Sequence, residues 1–176
     1  MEIKATCKYD FNAVRALTHL AFSRKNPEKR LILNAILLGL LIATCIFGLI
    51  NFEDKSIYYM GISFAVICAL LLSFIYFFLP KIQYNSMGKM KDAETEFIFT
   101  DEEIKVVTTG IEYVGESALK YTLLVKAIET ENFLFLFQTN KQAYIVDRAS
   151  VSETEMESLR NMLRNTLGKK YEIRNY

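Results

Sequence analysis

The residues of this chain that could do chemistry are few and far apart. Its one histidine is His19, and its three cysteines are Cys7, Cys45 and Cys68. The sequence contains no C-x-x-C pair, nucleophile elbow, P-loop or dinucleotide-binding glycine motif. We therefore expect no catalytic residue, no enzymatic activity, no cofactor and no bound metal.

Two isolated features could be sites, and we expect both to be surface features. His19 falls on the polar side of a predicted helix, where a single histidine is usually solvated. Asp101, Glu102 and Glu103 are consecutive and fit a solvated turn better than a metal site. The 21 Lys and Arg residues nearly balance the 20 Asp and Glu residues, so the chain lacks the basic excess of a nucleic-acid-binding protein.

Two uncharged stretches, 31–50 and 57–79, hold most of the hydrophobicity, with only residues 51–56 between them. About 20 apolar residues in a helix cross a hydrocarbon core of roughly 30 Å. A signal peptide would need a shorter apolar core and a small-residue cleavage site close to the start. Two buried core helices without a charge are improbable in a chain of 176 residues. The sequence therefore predicts an antiparallel transmembrane hairpin.

Basic residues flank the outer ends of this hairpin: Arg24, Lys25, Lys29 and Arg30 before it, and Lys81, Lys89 and Lys91 after it. The connecting loop has only Lys55, beside Glu53 and Asp54. Positive charge stays preferentially on the cytoplasmic side, which predicts a multi-pass protein of the cell membrane with both termini in the cytoplasm. The basic cluster before the hairpin either contacts anionic headgroups or only sets the topology, and we favour the second.

Small residues recur at every fourth position of both stretches: Ala35, Gly39 and Ala43 in the first, and Gly61, Ala65, Ala69 and Ser73 in the second. Such stripes let helix backbones approach closely in lipid. They face each other in the hairpin, or one of them drives self-association, or they arise by chance. Neither stretch has an ionisable Asp, Glu, Lys, Arg or His, so we expect an anchor and not a transport pathway.

In the segments before and after the hairpin, apolar and polar residues alternate in patterns that predict strands and amphipathic helices. In residues 1–30, Ile3, Ala5 and Cys7 alternate with polar residues as in a half-buried strand, and Asp10 can cap a helix. The apolar face of that helix is predicted to be Phe11, Val14, Leu17, Ala21 and Phe22. Residues 80–93 are expected to be a juxtamembrane connector.

Residues 94–168 are expected to form the main soluble domain. Period-two patterns predict strands at 96–100, 104–109, 111–114, 124–130, 133–138 and 143–147. A helix follows, with the capping-box pair Ser152 and Glu155, a terminating Gly168 and a tail at 169–176. Its apolar face is predicted to be Met156, Leu159, Met162, Leu163 and Leu167. The fold class is thus an α+β membrane protein with a cytoplasmic antiparallel sheet and a C-terminal amphipathic helix.

This order of elements resembles the YcxB-like family of bacterial membrane proteins. The resemblance is carried by LKYTLLVKAIETENFLFLFQTNKQAYIVDRASVSETEMESLRNML, in which the family's aromatic, acidic, basic and capping positions are Tyr121, Glu129, Arg148 and Ser152. The family often ends its last strand with Pro-Lys, whereas this chain has Asp147-Arg148. The resemblance implies a small pleckstrin-homology-like (PH-like) sheet with a terminal helix, and it implies no enzymatic activity and no established substrate.

We therefore expect a membrane-anchored, non-catalytic interaction or regulatory module of unknown ligand. Its expected partners are membrane lipids and either another protein or further copies of the chain, with no nucleic acid. The alternative is an integral assembly subunit that acts through the hairpin. Scattered basic residues could contact a partner, but the sequence assigns none of them to a site: Lys105, Lys120, Lys126, Lys141 and Arg148.

Overall fold

The computed structural model of the chain describes residues 2–22, 27–110, 112, 114–140 and 142–174. Its helices are α1 (Phe11–Phe22), α2 (Pro27–Asn51), α3 (Ser56–Ser73), α4 (Leu79–Ser86) and α5 (Glu153–Leu167). Its strands are β1 (Ile3–Lys8), β2 (Glu94–Phe99), β3 (Glu103–Thr109), β4 (Val114–Lys120), β5 (Lys126–Glu129), β6 (Phe133–Phe137), β7 (Ala143–Asp147) and β8 (Tyr171–Ile173). The alternation of strands and helices confirms an α+β chain.

The strands form two four-stranded sheets, ordered β1-β2-β3-β4 and β7-β6-β5-β8. Neighbours pair antiparallel except β5 and β8, which are parallel. β1 and β7 contact each other and bring the two sheets together at one corner. There the Ser150 hydroxyl accepts a hydrogen bond from the Thr6 amide at 2.9 Å.

The first sheet joins segments from both sides of the apolar helices. β1 precedes them and β2 follows them, and the two strands pair along their full length, from Ile3 opposite Phe99 to Lys8 opposite Glu94. The predicted alternation is confirmed, since Ile3, Ala5 and Cys7 are buried while the residues between them are exposed. The domain therefore includes the N-terminal strand as well as the segment predicted at 94–168.

The two sheets and α5 share one hydrophobic core. The FLFLF strand β6 is buried at four of its five positions, as expected for a strand covered on both faces. α5 buries Met156, Leu159, Leu163 and Leu167. Its predicted ends are confirmed: Ser152 and Glu155 form the capping box, and Gly168 follows the last turn with a φ of 54°.

The apolar stretches form α2 and α3, and both helices extend beyond their predicted bounds. α2 begins at Pro27, ahead of the predicted start at residue 31. α3 runs into a π-helical segment, Phe74–Phe78, and then into α4 without a break, so the prediction of an end at residue 79 was wrong. Pro80 lies in the first turn of α4, where its missing amide hydrogen and fixed φ are tolerated. Much of the predicted connector 80–93 is therefore helical.

Two other segment predictions are corrected. The third strand is β4, Val114–Lys120, which extends past the predicted end at residue 114; Ile111 and Tyr113, where the prediction placed most of this strand, lie outside the described residues. The expected tail at 169–176 contains β8, which pairs with β5 because the buried Tyr171 reaches the core beside Ala127. A three-residue strand is too short to produce a recognisable period.

The first helix is capped as predicted but turns a different face inward. The Asp10 carboxylate accepts a hydrogen bond from the Ala13 amide at 2.9 Å. Val14 is buried as predicted, whereas Phe11 and Ala21 are exposed, and the Phe22 side chain lies outside the described residues. The rest of the buried face is formed by Ala13, Thr18, His19 and Leu20. Two of these residues are polar, and both have hydrogen-bond partners: Thr18 bonds to Gln83 on α4, and His19 bonds to the π-helical segment before α4.

Candidate functional site

A cavity of about 680 Å³ lies between α1, the start of α2 and one end of the second sheet. On the sheet it is lined by the turn between β5 and β6 and by the last residue of β7. Its lining combines a few apolar side chains with many polar ones. The lining residues are Cys7, Lys8, Asp10, Asn12, Arg15, Ala16, His19, Leu20, Glu28, Thr130, Glu131, Asn132, Phe133, Phe135 and Asp147. A volume of this size would accommodate a small molecule or a lipid headgroup.

The ends of secondary-structure elements position the charged groups of this cavity. Lys8 ends β1 and Asp10 caps α1, while Asp147 ends β7 and accepts a hydrogen bond from the Ala149 amide at 2.9 Å. Each carboxylate therefore uses one oxygen for the local backbone. The cavity opens where strands end and helices begin, so its polar groups lie on fixed elements.

Burial makes the cysteine of this cavity unreactive. Burial, with the nearby Asp147 and Asp10 carboxylates, raises the pKa of the Cys7 thiol to about 12. Only the thiolate is a good nucleophile or metal ligand. Cys7 therefore contributes packing and not chemistry.

The lining carries more negative than positive charge. It has four carboxylates, from Asp10, Glu28, Glu131 and Asp147, against two cationic side chains, Lys8 and Arg15. Within the described residues, no ion pair joins Lys8 or Arg15 to a carboxylate. Both cations remain available to a ligand.

His19 is buried, so the prediction that it is a surface residue was wrong. Its Nε2 atom lies 3.2 Å from the carbonyl oxygen of Tyr76. Because a carbonyl oxygen only accepts, Nε2 carries the hydrogen and Nδ1 of the neutral ring is an acceptor. Burial lowers the pKa of His19, which favours this neutral form.

The acceptor of this bond is an unusual carbonyl group. Tyr76 lies in the π-helical segment and precedes Pro80 by four residues. In an α-helix the Tyr76 carbonyl would accept from the amide of residue 80, and proline has no amide hydrogen. His19 therefore donates a hydrogen bond to a carbonyl that cannot receive one from Pro80. π-Segments of this kind are frequent at functional positions in helices.

Further contacts fix α1 to the end of the second apolar helix. The Thr18 hydroxyl donates to the side-chain oxygen of Gln83 on α4. The Phe11 and Tyr84 rings meet edge to face with centroids 5.9 Å apart. The wall of the cavity that carries His19 is thus attached to the apolar hairpin.

A second cluster of charged residues surrounds Glu129. This carboxylate is 2% exposed, and it accepts hydrogen bonds from Arg160 Nε at 3.0 and 3.1 Å and from the Tyr171 hydroxyl. Burial opposes its ionisation, but the hydrogen bonds from Arg160 and Tyr171 and the charge of Arg148 hold the pKa of Glu129 below its usual range. All of its oxygens are used inside the protein, so the cluster joins β5, β8 and α5 and offers nothing to a ligand.

The four positions that carry the family resemblance have structural roles. The Tyr121 hydroxyl donates to the Thr100 carbonyl at 2.8 Å, and Ser152 caps α5. Arg148 Nε lies 3.7 Å from Glu129, and its guanidinium also pairs with Glu153. The sequence did not reveal the cavity, because its lining residues come from segments that are far apart in the chain.

The predicted small-residue stripes do not face each other along their length. Gly61 and Ala65 lie on the side of α3 that meets α2, whereas Ala69 and Ser73 are exposed. Ala35, Gly39 and Ala43 on α2 are also exposed. The contact instead brings Cys45 close to Gly61 and Gly48 close to the Tyr58 ring. The contact on α2 is therefore made by residues outside the predicted stripe.

Groups of potential metal ligands are scattered. Among the residues that the structure describes, no three His, Cys, Asp or Glu side chains are placed to hold one ion. Lys105, Lys120 and Lys126 lie on three different strands, and Lys141 lies outside the described residues.

Comparison with known proteins gave one result. No curated protein matches the chain. Residues 99–163 match the model of the YcxB-like protein family, from the last residue of β2 to Leu163 in α5. The matched segment holds β3 and β4 of the first sheet and β5, β6 and β7 of the second, while β1, the two apolar helices and nearly all of β2 precede it. The chain therefore carries a YcxB-like domain, preceded by two helices that are long and apolar enough to cross a membrane.

Proposed function

We propose that the two apolar helices anchor this chain in a membrane and hold its YcxB-like domain at the bilayer surface as a non-catalytic interaction module. The observation that carries this proposal is the exposure of large apolar side chains along α2 and α3, such as Ile50 at 77% and Met60 at 69%. Exposed apolar patches of this extent are rare on monomeric soluble proteins. A hydrocarbon environment would cover them.

Strand pairing supports a hairpin that enters and leaves on one side. β1 and β2 flank the apolar helices and lie side by side in one sheet. Paired strands are about 4.8 Å apart, so this pairing favours a hairpin whose two ends lie on the same face of a bilayer. The resemblance and the basic flanks favour the cytoplasmic face, with both termini inside and a PH-like arrangement of the domain.

The test uses single cysteines in a background in which Cys7, Cys45 and Cys68 are alanine. A membrane-impermeant maleimide on intact cells should label Asp54→Cys in the loop between the helices and leave Glu102→Cys unlabelled until the cells are permeabilised. Alkaline carbonate should leave both variants in the membrane pellet. Release into the supernatant would contradict the anchor, and labelling of Glu102→Cys in intact cells would contradict the orientation.

A second candidate function is an assembly subunit that acts through the hairpin. The observation in its favour is that Ala35, Gly39 and Ala43 are exposed, and a Cβ added at Gly39 would meet no atom within 4 Å. A neighbouring hairpin could pack on this open stripe. Gly39→Leu should then reduce the oligomer in mild detergent, while the control Val66→Leu, on an exposed part of α3, should not. An unchanged mass distribution for Gly39→Leu would reject this function.

A further inference from the structure

We propose that the cavity between α1 and the second sheet binds a phosphoethanolamine group, either as the headgroup of an aminophospholipid or as the free compound. The lipid arm of this inference rests on the proposed function, which brings a bilayer to the cavity. The charges, the donors and the position of the lining residues each contribute to the argument.

The cavity favours a ligand with a positive group. Three of its carboxylates, those of Asp10, Glu131 and Asp147, make no ion pair within the described residues, so an occupant that carries an ammonium would compensate part of their charge. Asp10 and Asp147 each give one oxygen to a backbone amide and keep lone pairs for another donor. A primary ammonium has three hydrogens that can reach such acceptors.

The cavity also has charges for an anionic group. Lys8 and Arg15 line it and make no ion pair with a carboxylate within the described residues. Their heads are exposed, as expected of side chains at a rim. Ammonium and guanidinium groups bind phosphate through charge-assisted hydrogen bonds. A ligand with one ammonium and one phosphate therefore matches both signs of charge in the lining.

The available acceptors favour a primary amine over a quaternary one. Choline offers no hydrogen to a carboxylate, and its binding sites are typically cages of aromatic faces. The described lining has two aromatic rings besides the His19 imidazole, from Phe133 and Phe135, and Phe135 is buried in the core. His19 adds one more acceptor, because its Nε2 hydrogen is given to Tyr76 and only Nδ1 remains.

The position of the cavity fits a headgroup. Glu28 lines it from the first turn of α2, at the end of the first apolar helix. His19 lines it from α1 and bonds to Tyr76, near the same end of the second apolar helix. If these helices cross a bilayer, the cavity lies at the level where headgroups begin. A lipid bound there would contact the domain without leaving its leaflet.

The experiment measures lipid binding to the intact, detergent-solubilised chain by native mass spectrometry. Phosphatidylethanolamine, phosphatidylcholine and phosphatidylglycerol with the same acyl chains are compared, and free phosphoethanolamine is added as a competitor. We expect the ethanolamine lipid to bind at least tenfold more tightly than the other two, one lipid per chain. Arg15→Gln and Glu131→Gln should each weaken it about tenfold, the loss of one charged hydrogen bond.

Matched controls are Lys105→Gln in β3 and Glu102→Gln in the turn before β3, which remove one positive and one negative charge away from the cavity. They should change binding less than twofold. Binding of the free compound without selectivity among the lipids would support the site and identify a soluble ligand. Equal binding of the three lipids with no effect of free phosphoethanolamine would overturn the proposal, as would wild-type affinity in both cavity variants. Failure of the membrane anchor is recognised separately, because carbonate extraction does not depend on this ligand.

Discussion

Arg160 on α5 and Glu129 on β5 form a bidentate ion pair under the C-terminal helix, with Arg160 Nη2 2.6 Å from Glu129 Oε1. The Glu129 side chain is 2% exposed and that of Arg160 is 23% exposed. Such a pair holds its two elements in one register because the planar guanidinium matches the carboxylate in a single geometry. It fixes α5 on the second sheet.

We expect Arg160→Met to destabilise the domain by about 3 kcal/mol, because it leaves Glu129 buried with fewer partners. The double variant with Glu129→Met should recover most of this loss, since a buried pair replaced by apolar residues is often neutral. Thermal unfolding of the full chain in detergent measures both. Equal loss in the single and double variants would show that the Arg160 side chain acts through packing alone.

Acid should weaken the same pair. The pKa of Glu129 is below its usual range in the folded protein, so the unfolded chain takes up its proton first as the pH falls. The stability that Glu129 contributes is complete above about pH 4.5 and is lost as the pH falls through its folded pKa. Unfolding midpoints between pH 7 and pH 3 should therefore drop less steeply in Glu129→Gln, which lacks this titration and starts from a lower midpoint.

Substitutions of His19 and Pro80 should have opposite effects on the stability of the junction, and the size of one effect should depend on the other residue. His19→Ala removes the donor to the Tyr76 carbonyl and should destabilise the junction by about 1–3 kcal/mol, the cost of an unpaired buried polar group. Pro80→Ala supplies an amide hydrogen at the position that an α-helix would use. The loss caused by His19→Ala should thus be smaller in the Pro80→Ala background. Additive effects in this double-mutant cycle would show that the two donors do not serve the same carbonyl.

The glycines of the hairpin should differ sharply in their tolerance of a side chain. A Cβ at Gly48 would lie 2.1 Å from the Tyr58 ring, and one at Gly61 would lie 2.6 Å from Cys45 Sγ. Gly48→Ala and Gly61→Ala should each destabilise the hairpin by about 1–3 kcal/mol through overpacking. Gly39→Ala is the matched control, since nothing lies within 4 Å of its added carbon. The fraction of folded protein after heating in detergent should separate the two classes.

The sequence predicted correctly those elements whose structure depends on residues close together in the chain. The capping box at Ser152 and Glu155, the inward face of β1 and the exact span of β7 were readable because each depends on a few neighbouring residues. The two long apolar helices were predicted because their length and lack of charge are visible in the sequence. β8 was missed because three residues carry no period, and its place is set by pairing with β5.

The candidate site was not predictable because it is made by tertiary contacts. His19 was read as solvated from its position on a helix, and only the packing of α1 on α4 brings it to Tyr76. Likewise, equal spacing of Ala35, Gly39 and Ala43 could not reveal which side of α2 meets α3, since the actual contact uses Cys45 and Gly48. Spacing along one helix does not specify the rotation of that helix against its neighbour.

The pairing of β1 with β2 has a consequence for how the chain is made. β1 is synthesised first, but its hydrogen-bonding partner emerges only after both apolar helices. Until then no neighbouring strand covers Ile3, Ala5 and Cys7, so β1 stays unpaired while the two apolar helices are synthesised. The hairpin would then insert before the first sheet assembles, and β1 would pair with β2 only after both helices are in place.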